Sequence, residues 1–281
     1  MPELPEVQTI AADLDELAAG RIIEAAAVRY PKIVAGEADR FIAILVRARI
    51  ERVERLGKWI RFFLEGRAGP AALLVHLKMT GQFQAGPWPA GDDLWPAHAH
   101  AAFRLSGLPP AANTLLYFDM RKFGRLRAFD QPDLEPFLAG LAQGPDPLTV
   151  SAEEFFSRLT RRRGRLKSVL LDQSTIAGLG NIYVDEGLFA AGLSPLRPAS
   201  SLTRPETDRL LAETRAILAA SIAARGSTTR NYAGLKGGGS FQRRHRVYGH
   251  TGQPCPVCGA AIERLVVGGR STHYCPHCQK T

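Results

Sequence analysis

Apolar residues recur at helical spacing near the start of the chain, at Val7, Ile10, Leu14 and Leu17, and Gly20 follows where such a helix would stop. A second helical stretch is predicted at 39–46. Around it the pattern turns to short β-rich runs separated by turn residues, at 21–30, 50–64, 71–76, 101–105 and 114–129. Strands of this length and spacing predict a two-layer β-sandwich. Residues 131–149 hold Pro132, Pro136, Pro145 and Pro147 and read as an interdomain connection. Beyond it the pattern is helical. Ser151 with Glu154, and Thr203 with Glu206, are capping-box starts, the second opening an amphipathic run to Ala224. Shorter helices are predicted at 166–172 and 183–191, split by the loop 177–181. Residues 234–240 are glycine-rich and read as mobile, and no internal repeat is visible.

A chain of 281 residues with 45% hydrophobic content can bury a substantial core, and its length fits two domains. No window approaches the roughly 18–20 continuous apolar residues of a membrane span. The acidic, proline-bearing start lacks the basic and apolar regions of a secretory signal. The expectation is a soluble cytoplasmic protein. Charge is unevenly placed: residues 225–281 hold nine lysines and arginines against one acid, Glu263, and so carry +8 of the net +9. A second cluster comprises Arg161, Arg162, Arg163, Arg165 and Lys167. Such clusters suit a polyanion, most simply nucleic acid, although a solvated basic face reads the same way.

All four cysteines lie at the end of the chain, as Cys255-x2-Cys258-x16-Cys275-x2-Cys278. Two C-x-x-C knuckles with a hairpin-length spacer can wrap four thiolates around one Zn²⁺. Two disulfides are the alternative, which a reducing cytosol disfavours. A closed shell of four thiolates leaves no open position for catalysis, so such a metal is structural. It replaces a core that so short a segment cannot build. His273 and His277 lie beside the cysteines and are expected on the surface or behind the ligands.

At the other end stands Met1-Pro2-Glu3-Leu4-Pro5-Glu6. Loss of Met1 would leave a proline secondary amine beside a carboxylate. An α-amino group, with a reference pKa of about 7.7–8.0, is partly unprotonated near neutrality, whereas lysine at about 10.4 is not. Attack by that amine on an aldehyde-like carbon gives an iminium, the Schiff-base form of covalent catalysis. A proline-punctuated lead-in to a helix is the plainer alternative.

Four separated motifs, PELPEV at 2–7, HLKMTG at 76–81, GLGNIYVDE at 178–186 and the closing cysteine pattern, resemble those of the formamidopyrimidine-DNA glycosylases of base-excision repair. Weaker matches lie at LGKW around Lys58, HAH at 98–100, DMRKFG at 119–124, SFQRRHRVYG at 240–249 and GRSTHYC at 269–275. The resemblance implies an α+β chain: an N-terminal catalytic β-sandwich flanked by helices (1–130), a linker (131–150), a helix–two-turn–helix DNA-binding domain (151–230), a base-capping loop and connection (231–250), and a β-hairpin zinc finger (251–281). It further implies a bifunctional glycosylase and AP lyase that excises oxidised purines from damaged double-stranded DNA and cuts both sides of the sugar. Carried over by position, Pro2 is the nucleophile and Glu3 the acid that protonates the opening sugar. Lys58 serves β-elimination and Arg270 δ-elimination. Met79, Arg121 and Phe123 fill the gap left by the flipped base. His76, His98, Arg121, Arg162, Lys167, Asn181 and Tyr248 contact DNA, Asn181 with phosphate at a helix N-terminus. Taken singly, Glu3 reads equally as a helix-dipole carboxylate, Lys58 and Arg270 as phosphate anchors, and Met79 and Phe123 as hairpin packing. One structural Zn²⁺, no nucleotide cofactor, no membrane and a monomer complete the expectation.

Three motifs depart from the family pattern: Gln8 stands for Glu, DMRKFG for the commoner DPRRFG, and HLKMTG carries Lys78. The loop 231–242 is also shorter than usual, which leaves the preferred lesion open. An endonuclease VIII-type enzyme for oxidised pyrimidines is the nearest alternative, against which Leu4 and the Met79/Arg121/Phe123 set argue. A non-catalytic, lesion-binding zinc protein is the other.

Overall fold

The computed structural model describes residues 1–228 and 234–280. Residues 229–233 and 281, including the start of the expected capping loop and the last residue of the expected finger, lie outside the described residues. The chain divides into two compact units, one of 1–2, 6–141 and 227–239, the other of 3–5, 142–226 and 240–281.

In the first unit the predicted helical face of Val7, Ile10 and Leu14 lies on α1 (Leu4–Ala18) and is fully buried. The strands are β1 (Ile23–Val28), β2 (Arg49–Leu56), β3 (Trp59–Gly66), β4 (Gly69–His76), β5 (Gly81–Gly86), β6 (Ala99–Leu105), β7 (Thr114–Asp119) and β8 (Arg125–Asp130), with α2 (Ala38–Leu45) before β2. They form two antiparallel four-stranded sheets, ordered β1-β6-β7-β5 and β2-β3-β4-β8. Phe62, Leu64, Leu73 and Val75 from one sheet join Phe83, Phe103, Leu115 and Tyr117 from the other in a single buried cluster with α1 and α2. Each large apolar side chain buried in this way contributes about 1.5–3 kcal/mol. Truncating a central one such as Leu14 to alanine would cost about 2–5 kcal/mol.

The predicted runs 50–64 and 114–129 each prove to be two strands. Within the first, Leu56 pairs with Trp59, so the turn is Gly57-Lys58, with Gly57 at φ +60° in the first central position that a type II′ turn reserves for glycine. Strand β5, with glycine at both ends, was not anticipated.

The expected connection 131–150 also differs, because α3 (Gln131–Gly140) occupies its first half. Pro132 falls in the first helical turn, where its missing N–H has no partner to lose. Pro136 lies deeper and removes one bond. The helix is held by packing: Leu134, Phe137 and Leu138 cover Ala72 and Leu74, the residues of β4 that alternate with its core-facing Leu73 and Val75. Phe137 stacks on Phe129 at 4.8 Å.

The second unit contains α4 (Ala152–Thr160), α5 (Leu166–Leu171), α6 (Asn181–Ala190), α7 (Arg204–Ala223) and the hairpin β9 (Glu263–Val267) with β10 (Arg270–Tyr274). Both anticipated caps are present: Ser151 Oγ accepts from Glu154 N at 3.1 Å, and Thr203 and Glu206 form the reciprocal box. Helix α6 is buried from Ile182 to Phe189, including Asp185 and Glu186. Among the described residues, no helix is long and apolar enough to cross a membrane.

Candidate active site and nucleic-acid interface

The positive end of α6 carries the N-terminal carboxylate. Glu3, 4% exposed, accepts from Ile182 N at 3.1 Å and Tyr183 N at 3.4 Å, two of the free N–H groups in the first turn of the helix. Gly180, at the N-cap, makes this approach feasible: a Cβ there would lie 2.3 Å from Glu3 Cδ. Leu4 N donates to Gly178 O at 3.0 Å and fixes the segment beside the same loop. Glu3 therefore takes two N–H groups of the first turn, next to the Asn181 backbone expected to meet phosphate.

In the first unit Pro2 is buried and Met1 exposed. Lys58, 7% exposed, sits in the β2–β3 turn, and His76 pairs across the sheet from the next residue, Trp59, whose ring meets it edge-on at 4.9 Å. Burial, with Lys78 and Lys58 nearby, pushes the His76 imidazole down to about 3. Its Nδ1 accepts from Lys78 N at 3.0 Å, so at neutral pH it is an uncharged hydrogen-bonding group. Met79 projects from the loop between β4 and β5. Arg121 and Phe123 project from the loop between β7 and β8, with the Arg121 guanidinium 4.7 Å from the centre of the Phe123 ring. His98 is exposed and lines a 300 Å³ basic recess with Arg29, Tyr30, His100 and Lys122.

In the second unit three expected residues converge on β10. Arg270 is its exposed first residue, presented by the turn Gly268-Gly269, both glycines at positive φ. The next carbonyl, Ser271 O, accepts from Asn181 Nδ2 and from Lys167 Nζ, each at 2.8 Å. Lys167 is completely buried and pairs with Asp185 Oδ1 at 2.6 Å. Burial pushes the Lys167 ammonium below its usual range, opposed by Asp185. The other oxygen of Asp185 accepts from His273 N at 2.9 Å and lies 3.2 Å from His273 Nδ1.

The adjacent Glu186 turns to a different loop. It accepts from the backbone N–H groups of Arg246, Val247 and Tyr248 at 2.8–3.1 Å. Burial raises its pKa against the pull of those donors. The Tyr248 ring packs on His273 at 5.0 Å and joins the two anchored segments. Arg162 stands apart, exposed beside Asp172 and Ser174. Sequence reasoning missed Gly180, Asp185 and Glu186. The available signal was a pair of adjacent carboxylates inside an otherwise apolar helix.

The four cysteine sulfurs lie within 4.8 Å of one another, with Cys255 to Cys278 at 3.8 Å and Cys258 to Cys275 at 3.5 Å. Tetrahedral thiolates at about 2.3 Å from a zinc ion stand about 3.8 Å apart, so the cluster fits a metal. Val257 N and Cys278 N point at Cys255 Sγ and Cys275 Sγ, both at 3.4 Å, which suits thiolate acceptors.

Three family models match the chain in succession: the formamidopyrimidine-DNA glycosylase N-terminal domain at 1–126, the formamidopyrimidine-DNA glycosylase H2TH domain at 141–233, and the zinc finger found in FPG and IleRS at 252–281. A formamidopyrimidine-DNA glycosylase of Exiguobacterium sp. is 43% identical over 286 residues, with both chains fully covered. The chain belongs to the formamidopyrimidine-DNA glycosylase family. It is an enzyme of DNA repair, of the glycosylase and lyase type.

Solved structures carry the likeness through the whole glycosylase fold. The MutM (Fpg) protein of Thermus thermophilus is 42% identical with a TM-score of 0.85, covering 99% of this chain and 98% of its own. A Lactococcus lactis FPG mutant in complex with a Fapy-dG containing DNA is 32% identical with a TM-score of 0.90, both chains fully covered. In this glycosylase the side chains of two residues expected at DNA are engaged within the second unit. Lys167 has no exposed surface, because its charge is spent on Asp185. Asn181 spends its amide nitrogen on Ser271 O. Both hold the hairpin that carries Arg270.

Proposed function

We propose that this glycosylase excises oxidised purines, 8-oxoguanine and formamidopyrimidines, from duplex DNA through a Schiff base on Pro2, and then breaks the strand by β- and δ-elimination. The observation that carries the proposal is the full-length match to enzymes solved on lesion DNA, one with a Fapy-dG containing DNA and one, MutM, with carbocyclic 8-oxo-G containing DNA.

Once Met1 is removed, the Pro2 amine attacks C1′ as the damaged base departs, and its nitrogen becomes the iminium. Glu3, oriented by Ile182 N and Tyr183 N, moves a proton between that amine and the sugar ring oxygen. The iminium makes the C2′ proton acidic, and its loss, served by Lys58, expels the 3′ phosphate. Arg270 serves the second elimination, which expels the 5′ phosphate. Extruding the base costs a few kcal/mol of unstacking, and Met79, Arg121 and Phe123 occupy the gap. His76, His98, Arg162 and Tyr248 contact the strand, with His76 as a neutral partner. Cys255, Cys258, Cys275 and Cys278 hold one Zn²⁺, which supplies a structural cross-link and no chemistry at the sugar. The enzyme acts as a monomer in the cytoplasm.

Borohydride trapping on a duplex with 8-oxoguanine opposite cytosine, followed by peptide mapping, tests this reading. A covalent adduct on Pro2 is expected. An adduct on another residue, or tight binding without any adduct, would overturn it.

A further inference from the structure

Met79 and Phe123 are 44% and 48% exposed, on the tips of two different loops, and Met120 beside them is 58% exposed. Half-exposed apolar tips on separate loops keep no fixed geometry relative to each other unless the loops beneath them are tied together. Asp119, the last residue of β7, makes that tie with no exposed surface. Its Oδ1 accepts from the Thr80 hydroxyl, in the loop that carries Met79, and from Arg121 N at 3.2 Å. Its Oδ2 accepts from Gly124 N at 2.7 Å. Thr80 Oγ1 itself accepts from Arg121 N at 3.0 Å, closing a ring between the two loops. The Asp119 backbone is pinned as well: its N–H donates to His98 O, and its carbonyl faces His100 Nε2 and accepts from Lys122 N, at 3.0–3.1 Å. Gly124 has no room for a side chain, since a Cβ there would meet Tyr117 Oη at 1.9 Å and Asp119 Oδ2 at 3.0 Å.

We propose that Asp119 is a positioning residue for base extrusion, its buried carboxylate locking the Met79 loop and the Arg121–Phe123 loop into one wedge. The assignment rests on the insertion role proposed above for those side chains. Only a carboxylate serves, because both of its oxygens accept. An asparagine would turn an N–H2 group towards either Gly124 N–H or the donors Thr80 and Arg121, and the loops would part.

The test compares single-turnover excision of 8-oxoguanine from two duplexes, one with cytosine opposite the lesion and one with an abasic analogue opposite, where no pairing resists extrusion. Asp119→Asn should slow the paired substrate on the order of tenfold or more while staying within about threefold of the wild type on the unpaired one. Thr80→Val, which breaks the cross-loop bond but keeps the Asp119 bond to Gly124, should show the same selectivity more weakly, and it carries the test if Asp119→Asn fails to fold. Equal slowing on both duplexes, or none on either, would overturn the role of Asp119. A wild-type protein that cuts neither duplex would overturn the proposed function itself.

Discussion

Gly180 and Glu3 are in such close approach that a methyl group on the glycine would sit 2.3 Å from the carboxyl carbon of the glutamate. The backbone of Gly180, at φ −135°, suits any residue, so the constraint is space alone. Gly180→Ala should displace the Glu3 carboxylate from Ile182 N and Tyr183 N by about an ångström. A shift of that size costs on the order of 10²-fold in rate. Single-turnover base excision, set against the melting temperature, checks this: excision should fall steeply while melting moves only modestly. Excision at wild-type rate would show that Glu3 has slack to retreat.

The buried pair Lys167–Asp185 should behave asymmetrically. Lys167→Met alone leaves a carboxylate in the interior and should cost about 3–5 kcal/mol, whereas Lys167→Met with Asp185→Leu, which still orphans His273 N, should cost less than the two single losses added together. Urea unfolding of the four proteins of the cycle measures the difference. Additive losses would mean that the two charges act independently.

His76 sets a pH dependence. Its folded pKa of about 3 lies below the ordinary value of about 6.5, so the fold favours the neutral ring. That stability is complete above about pH 6.5 and is lost as pH falls towards 3, by on the order of several kcal/mol. His76→Gln should flatten the unfolding profile of the sandwich across that window. Because the ring is neutral at pH 7, the same variant should leave the salt dependence of DNA binding unchanged. A smaller salt slope would show a charged imidazole at phosphate.

Metal removal should act on one unit only. Without the metal, the four sulfurs lose the ion that cross-links them, and the short hairpin has little core beyond Phe189, Val247 and Ile262. All three tryptophans, Trp59, Trp88 and Trp95, belong to the first unit. A chelator should therefore abolish DNA binding without shifting tryptophan emission. Full affinity after chelation would remove the finger from the DNA interface.

Much of this was legible in the sequence because the signals are periodic or covalent. Val7, Ile10 and Leu14 mark a helix face whatever it packs on, and C-x-x-C spacing fixes a tetrahedral cluster. The helix at Gln131–Gly140 was hidden because Pro132 and Pro136 argue locally for a break, and only Ala72, Leu74 and Phe129 outweigh them. Strand β5 was hidden by its glycines. Charged side chains carry no sequence mark of burial. Lys167 stands in a run of arginines and resembles a DNA contact, yet the deciding residue, Asp185, is 18 positions away. Asp119 and Glu186 were missed for a related reason: apart from the Thr80 hydroxyl, the hydrogen-bond partners of their carboxylates are backbone N–H groups, which every residue except proline presents.

The anchoring of β10 on α6 also sets an order of assembly. Asn181 and Asp185 find their partners 90 and 88 residues later, and Gly192 and Ser194 bond with Lys280. At about 5–20 residues per second of synthesis, α6 emerges many seconds before those partners exist. Throughout that interval Asp185 has Lys167 but not His273 N for its second oxygen, and Ser271 O is missing as the acceptor shared by Asn181 and Lys167. The finger is thus the closing piece of the helical unit, and a ribosome that stalls short of residue 270 leaves that unit open.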